Sequence, residues 1–201
     1  VQENTTTGNS SEIWIVKSGA DAPVPFAAGN GYMYDTTIAG FTGNYAIFDS
    51  DAYGDNNTPE QAALISPAFD CSSKPAGANV VLNMKHFIYA LTGQSVQLQI
   101  SQDGANYTTV ATIANTSYGS YSLNITDAVG SSSTAYLKIL YIGNWSYFYA
   151  VDDISISFIT ENVPNAAENL NPVDGATDVP INVSTTGAKQ ILFDWQAANT
   201  G

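Results

Sequence analysis

The sequence contains no arginine, five lysines and one histidine, and this shortage of cationic side chains excludes several functions. Its 201 residues include 18 acidic side chains, which gives a formal net charge of −13. So few cations cannot neutralise many phosphates, which argues against nucleic acid and anionic membrane surfaces as partners. The same charge is compatible with divalent cations and with neutral partners such as sugars.

The residues needed for most catalytic sites are equally scarce. A zinc site built on several histidines is excluded because His86 is the only histidine, and a Ser–His–Asp triad would have to use it from a strand interior. The five glutamates form no convincing acid/base pair, and adjacent Asp152 and Asp153 would point to opposite faces of a strand. Cys71 is the only cysteine, which excludes an internal disulfide, and we expect it to be a buried small hydrophobe. The sequence therefore predicts no enzyme. It also has no apolar run long enough to span a bilayer, which predicts no membrane insertion.

Alternating apolar and polar residues are abundant. The segment "SVQLQIS" places Val96, Leu98 and Ile100 on one face, and "VVLNMKHFI", "TAYLKILYI" and "DDISISF" continue the pattern between turn-forming stretches. Short strands at this spacing predict an all-β protein, an antiparallel β-sandwich. We expect a flexible lead-in at residues 1–10, the sandwich at 11–160, and a linker with the opening strand of a further β-module at 161–201.

One aspartate occupies an unexpected position in the last strand of the sandwich. Counting back by twos from Phe158 gives Ile156, Ile154 and then Asp152, so a carboxylate follows the apolar residues on what we take to be the inward face. An unpaired buried carboxylate is costly. The side chain could be protonated, hydrogen-bonded to backbone N–H groups, or bound to a metal. A β-bulge would shift the strand phase and put Asp153 in its place.

A second acidic stretch, "FDSDAYGDNN", brings Asp49, Asp51 and Asp55 within seven residues. Calcium prefers such oxygen-rich loops, although the spacing is not that of an EF-hand. The alternative is a solvated acidic turn.

Four pieces in order resemble bacterial MAM-like jelly-roll domains, including the cleaved-adhesin domains of Bacteroidetes surface proteins. The pieces are "NYAIFDSDAYGDNNTPEQAALISPAFDCSS", "VVLNMKHFIYA", "VQLQISQDGANYTTVATI" and "AVDDISI". The resemblance implies a jelly-roll sandwich in which the closing strand lies near the acidic turn. It therefore implies a structural Ca²⁺ ion held by Asp49, Asp51 and Asp152. The tail resembles the first strands of a fibronectin-III-like module.

Aromatic residues supply the candidate ligand contacts. In "GNWSYFYA", Trp145, Tyr147 and Tyr149 alternate, so they could share one face and stack on sugar rings, or simply pack. We predict ligand contact at Trp145 and Tyr147, and packing for Tyr149. The resemblance implies a non-catalytic, calcium-stabilised, adhesin-like accessory domain of a larger secreted or cell-surface bacterial protein. Its partners would be a glycan or a surface protein, besides other domains of the same polypeptide. The alternative is a carbohydrate-binding module of a secreted hydrolase.

Overall fold

The computed structural model describes residues 12–18, 39–55, 59–91 and 93–160 in full. It also describes residues 2–4, 168–171, 182–183, 189–190 and 194–196 as strands. The chain divides into two compact units, residues 1–160 and 161–201.

The first unit is an antiparallel β-sandwich of jelly-roll type, in which the described residues form two five-stranded sheets. Sheet A has the order β1-β4-β9-β6-β7, and sheet B has the order β2-β3-β10-β5-β8. The strands of sheet A are β1 (Gln2–Asn4), β4 (Glu60–Ile65), β6 (Ser95–Ser101), β7 (Thr108–Ile113) and β9 (Tyr136–Gly143). Those of sheet B are β2 (Ile15–Ser18), β3 (Asn44–Asp49), β5 (Asn79–Tyr89), β8 (Ser117–Asn124) and β10 (Phe148–Ile159). Two single-turn helices, α1 (Ser50–Tyr53) and α2 (Thr126–Val129), lie between strands. No helix among the described residues has the length and apolar character needed to cross a membrane.

The predicted alternation places the core between the two sheets. Leu82, Met84 and Ile88 of β5 and Val96 and Leu98 of β6 all belong to one buried cluster. Burying side chains of this size stabilises a fold by roughly 1.5–3 kcal/mol each. The strand pattern of the sequence therefore does define the inner faces of these strands.

A second apolar cluster covers the outer face of sheet B. Tyr45 and Ile47 of β3 belong to it, together with Phe87 of β5 and Phe148 of β10, whereas Ala46 and Phe48 pack into the first cluster. Both faces of β3 are thus apolar, and sheet B lies between two hydrophobic layers.

Two segments differ from the sequence-based expectations. Gln2–Asn4, expected in a flexible lead-in, forms β1 and pairs with Ala62 to Leu64 of β4. In the tail, for which one opening strand was expected, the described residues form four short strands. They pair as β11 (Glu168–Asn171) with β14 (Asp194–Gln196), and β12 (Asn182–Val183) with β13 (Lys189–Gln190). The fibronectin-III-like assignment of this tail stays a prediction.

A β-bulge interrupts β10 between Asp152 and Ser155. Val151 to Ile156 is five steps along β10, whereas their partners on β5, His86 and Leu82, are four steps apart. The extra residue reverses the alternation, so the inward residues on the two sides of the bulge differ in parity. Counting by twos from Phe158 across the bulge therefore assigned the wrong face to Asp152.

Candidate functional site

Asp152 lies on the outer face of sheet B, not on the inner face that the sequence suggested. Its Oδ2 accepts a hydrogen bond from the backbone N–H of Thr42 at 3.0 Å, and its Oδ1 accepts one from Asp153 N–H at 2.8 Å. Of the three explanations offered by the sequence, the geometry matches the second, satisfaction by backbone N–H groups. This carboxylate ties the segment before β3 to the bulge.

Asp153 lies within the bulge, with φ at +50°, and its side chain is half-exposed. Its Oδ2 lies 2.8 Å from the Nζ of Lys85, which also donates a hydrogen bond to the Gly40 carbonyl at 2.6 Å. A half-exposed ion pair of this kind adds little stability. Neither of the adjacent acids points into the core between the sheets.

The three predicted calcium ligands are not brought together. In the register of β3 and β10, Asp49 lies opposite Phe148, and Asp152 is four residues farther along β10. At a strand rise of about 3.3 Å per residue, the backbones of Asp49 and Asp152 are on the order of 13 Å apart. Ligands of one calcium ion lie about 2.4 Å from it, so these two carboxylates cannot share an ion. Within the fully described ranges, no group of three His, Cys, Asp or Glu side chains is placed to hold a metal.

Asp49 instead ends β3 and caps α1. Its Oδ1 accepts a hydrogen bond from the backbone N–H of Ala52 at 3.2 Å, as an N-capping aspartate does. Burial raises the pKa of Asp49 to about 6, against the lowering effect of that hydrogen bond. Asp51 occupies the first turn of α1, and its backbone N–H donates to the carbonyl of Tyr147 at 3.0 Å. The acidic turn is thus a structural junction with the loop before β10.

Two buried glutamates at this junction, Glu12 and Glu60, were not among the site residues predicted from the sequence. Glu60 begins β4, and its side chain is 1% exposed. Burial raises its pKa to about 7, although the hydrogen bond from Ser50 acts in the opposite direction. The alternation of Glu60 with Ala62 and Leu64 in "EQAALI" was the pattern that could have revealed it.

The predicted aromatic contacts separate into three environments and do not share one face. Trp145 lies in the loop between β9 and β10, is 52% exposed and has φ at +42°. Tyr147 is half-buried and makes an edge contact with Tyr89, with ring centroids 4.6 Å apart. Tyr149 is fully buried in the core between the sheets, as expected for a packing residue. The interruption arises because β10 starts only at Phe148, so the strand period does not extend back to Trp145.

Further aromatic rings continue across the outer face of sheet B. Tyr118 on β8 is exposed and packs against Phe87, with centroids 5.7 Å apart, and Phe87 in turn contacts Phe148 at 5.0 Å. The exposed ring of Tyr118 and the half-buried pair of Tyr89 and Tyr147 therefore belong to the same face of the sheet. Such amphipathic rings are suited to stacking on a partner.

His86 and Cys71 occupy buried positions, as the sequence predicted. His86 packs between Tyr121 and Tyr149, and burial lowers its pKa. Its Nδ1 has no hydrogen-bond partner among the described residues. Cys71 belongs to the core cluster, and burial raises the pKa of its thiol. Neither side chain has the exposed, activated environment of a nucleophile or base.

No protein-family model and no curated protein sequence matches this chain. Among solved structures, it is similar to the K1 cleaved adhesin domain of Lys-gingipain from Porphyromonas gingivalis W83. The identity is 14%, the TM-score is 0.41, and the match covers 78% of this chain and 96% of that domain.

This chain is also similar to TmCBM61 in complex with β-1,4-galactotriose. The identity is 15%, the TM-score is 0.40, and the match covers 75% of this chain and 93% of that chain. It is also similar to the enzymatically active domain of tailspike protein 4 of bacteriophage CBA120, at 12% identity and a TM-score of 0.43. That match covers 79% of this chain but 19% of the tailspike chain. Likenesses of this strength assign neither ligand nor activity.

Proposed function

We propose that this chain is a non-catalytic, adhesin-like accessory domain of a larger secreted or cell-surface bacterial protein, and that its Trp145 loop contacts a neutral glycan. A carbohydrate-binding module of a secreted hydrolase is the alternative setting for the same contact. A surface protein as partner is the other outcome that a binding test can reveal.

The exposure of Trp145 is the observation that carries this proposal. Trp14, by contrast, is buried in the core, where a tryptophan side chain contributes most to folding. A half-exposed indole contributes less to folding, and its flat face and N–H suit contact with a partner. The left-handed backbone at Trp145 is unfavourable for an L-residue and is held in place by its surroundings. Half-buried Tyr147, next in the loop after Ser146, can add a second ring to the contact.

Charge favours a neutral ligand over an anionic one. The net charge of −13 repels phosphates and acidic sugars at long range. Sugar rings without charge are bound through stacking and hydrogen bonds, which this charge does not oppose. The buried positions of His86 and Cys71 support a role in binding and not in catalysis.

Replacing Trp145 with alanine is expected to weaken glycan binding by about 30-fold or more, as for a central aromatic anchor. A glycan array that includes glucans, xylans and galactans would identify the ligand, and calorimetric titration would then compare the variant with the wild type. Val16→Ala is the matched control, since Val16 is exposed on β2 and its loss should leave the affinity unchanged. Equal affinity of Trp145→Ala and wild type for the glycan would contradict the proposal. Binding to a surface protein and to no glycan on the array would show that the partner is a protein, which would also overturn the glycan assignment.

Calcium stays a prediction, now restricted to the acidic turn of Asp49 and Asp51, because Asp152 lies elsewhere. Carboxylate oxygens in a tight turn are the ligands that calcium prefers. An ion bound to the native state alone raises the melting temperature by mass action. We therefore expect thorough chelation with EDTA to lower the melting temperature and added calcium to restore it. An unchanged melting temperature would contradict a structural calcium ion.

A further inference from the structure

A buried chain of hydrogen bonds connects sheet A to the loop that presents Trp145. The Oγ of Ser50 donates to Glu60 Oε2 at 2.6 Å, and the same Oγ accepts from the backbone N–H of Ser146 at 2.7 Å. Ser50 is completely buried, and both Glu60 and Ser146 are nearly so. One hydroxyl thus joins a carboxylate of β4 to the residue that directly follows Trp145.

Helix α1, which begins at Ser50, fixes the Trp145 loop at a second point. The backbone N–H of Asp51 donates to the carbonyl of Tyr147 at 3.0 Å. Consecutive residues of α1, Ser50 and Asp51, therefore hold Ser146 and Tyr147. Because these two anchors follow Trp145 immediately, they limit the directions in which its side chain can leave the loop, and they hold it at its positive φ of 42°.

The chemistry of Glu60 explains how Ser50 can serve the loop. A hydroxyl has one hydrogen to donate and lone pairs to accept with, whereas an ionised carboxylate only accepts. Facing Glu60, Ser50 points its hydrogen toward the carboxyl group and leaves a lone pair for Ser146 N–H. When Glu60 is ionised, the hydrogen bond from Ser50 is charge-assisted and therefore stronger, which keeps the hydroxyl in this orientation.

Folding alone does not account for a glutamate at this position. The next residues on the same face of β4, Ala62 and Leu64, are apolar and pack on the core. Glu60 Oε1 is buried with no hydrogen-bond partner among the described residues, which costs free energy. An apolar residue would avoid that cost but would leave the hydroxyl of Ser50 without its acceptor.

We propose that Glu60, acting through Ser50, is a positioning residue that holds Trp145 in the arrangement presented to the ligand. The relevance of this arrangement to ligand binding rests on the proposed function. The arrangement itself can be measured without any ligand.

Fluorine NMR of the full chain labelled with 5-fluorotryptophan tests this directly. The signal of Trp145 is identified by its loss in Trp145→Phe. Ser50→Ala and Glu60→Ala are expected to shift or broaden the Trp145 signal and to leave the signal of buried Trp14 in place. Glu60→Gln keeps a carbonyl acceptor for Ser50 and is expected to retain the wild-type Trp145 signal. Glu60→Met fills a similar volume without an acceptor and is expected to move the signal as Ser50→Ala does, whereas a merely space-filling role of Glu60 would leave it in place.

Ser66→Ala is the control, because Ser66 directly follows the opposite end of β4 and its hydroxyl also accepts a hydrogen bond from a backbone N–H, that of Leu137 at 3.0 Å. It should leave the Trp145 signal unchanged. An unchanged Trp145 signal in folded Ser50→Ala and Glu60→Ala would overturn the proposal. If both variants fail to fold, hydrogen exchange of the backbone amides in the wild-type chain tests the proposal instead. Protection of Ser146 N–H supports the proposal, and exchange as fast as at exposed Asn144 overturns it.

Binding measurements separate this inference from the proposed function. Ser50→Ala is expected to weaken glycan binding by about fivefold, the effect of losing pre-organisation of one side chain, with Trp145→Ala weakening it further. If Ser50→Ala moves the Trp145 signal but Trp145→Ala binds normally, the positioning role stands and the proposed function fails. If Trp145→Ala abolishes binding but the signal never moves, the proposed function stands and the positioning role fails.

Discussion

Replacing Trp14 with alanine is expected to lower the free energy of unfolding by about 4 kcal/mol, within the usual range for truncating a buried tryptophan. The side chain is buried just before β2, at one edge of sheet B. Its Nε1–H donates to the carbonyl of Ala62 in β4 of sheet A at 3.2 Å. Its ring also packs against those of Phe48 and Tyr149, with ring centroids 6.1 Å and 6.0 Å apart, and the contact with Tyr149 is edge-on. The substitution would remove a connection between the sheets and leave a cavity between them.

Urea unfolding followed by far-ultraviolet circular dichroism measures this loss without relying on tryptophan fluorescence. Val16→Ala, two residues away and 69% exposed, should change the free energy of unfolding by less than about 0.5 kcal/mol. A loss below about 1.5 kcal/mol for Trp14→Ala would contradict the assignment of Trp14 to the core.

Glu60 is expected to lower the free energy of unfolding as the pH rises from about 4.5 to 7, while His86 acts in the opposite direction below pH 6.5. The pKa of Glu60 is about 7 in the folded chain, against an ordinary value of 4.5. Between these values the unfolded chain has already released the proton that the folded chain retains. Rising pH therefore favours the unfolded state across this window, with a total effect on the order of 2 kcal/mol. Asp49, whose pKa is raised to about 6, contributes in the same direction at slightly lower pH.

Glu60→Gln should remove the Glu60 contribution, because glutamine does not titrate. Urea unfolding of both chains at pH 4.5 and pH 8, in EDTA, gives the comparison. His86, whose lowered pKa makes stability fall as the pH drops below its ordinary value of 6.5, is present in both chains and cancels in the difference. We expect the variant to gain stability relative to wild type on going to pH 8. Parallel curves for the two chains would show that Glu60 is not buried as described.

Much of the sandwich could be predicted because its strands follow the simplest rule. Alternation in β5, β6 and β9 matches the buried positions directly. His86 was placed in the interior because it lies within a predicted strand, and Cys71 because the sequence offers no accessible base to activate it. These predictions depend on the local order of residues or on composition, and both can be read directly from the sequence.

The errors arise where the outcome depends on register. One extra residue in β10 moves Asp152 to the outer face, and no local pattern in "FYAVDDISISF" states which residue is extra. The spacing of Asp49 from Asp152 depends on how β3 aligns with β10, which is a tertiary property. Glu60 was overlooked because its role depends on two residues outside its own strand. Ser50 lies in α1, and Ser146 lies far along the chain in the loop before β10.

Indole N–H signals in a ¹⁵N NMR titration test the central claim, that the Trp145 loop is the ligand-binding surface. The titrant is the neutral oligosaccharide that the wild-type chain binds best on the array. We expect the Nε1–H signal of Trp145 to shift in proportion to saturation, while that of Trp14, buried between the sheets, does not move. Saturation of the chain with an unchanged Trp145 signal would place the binding surface elsewhere and contradict a binding role of this loop.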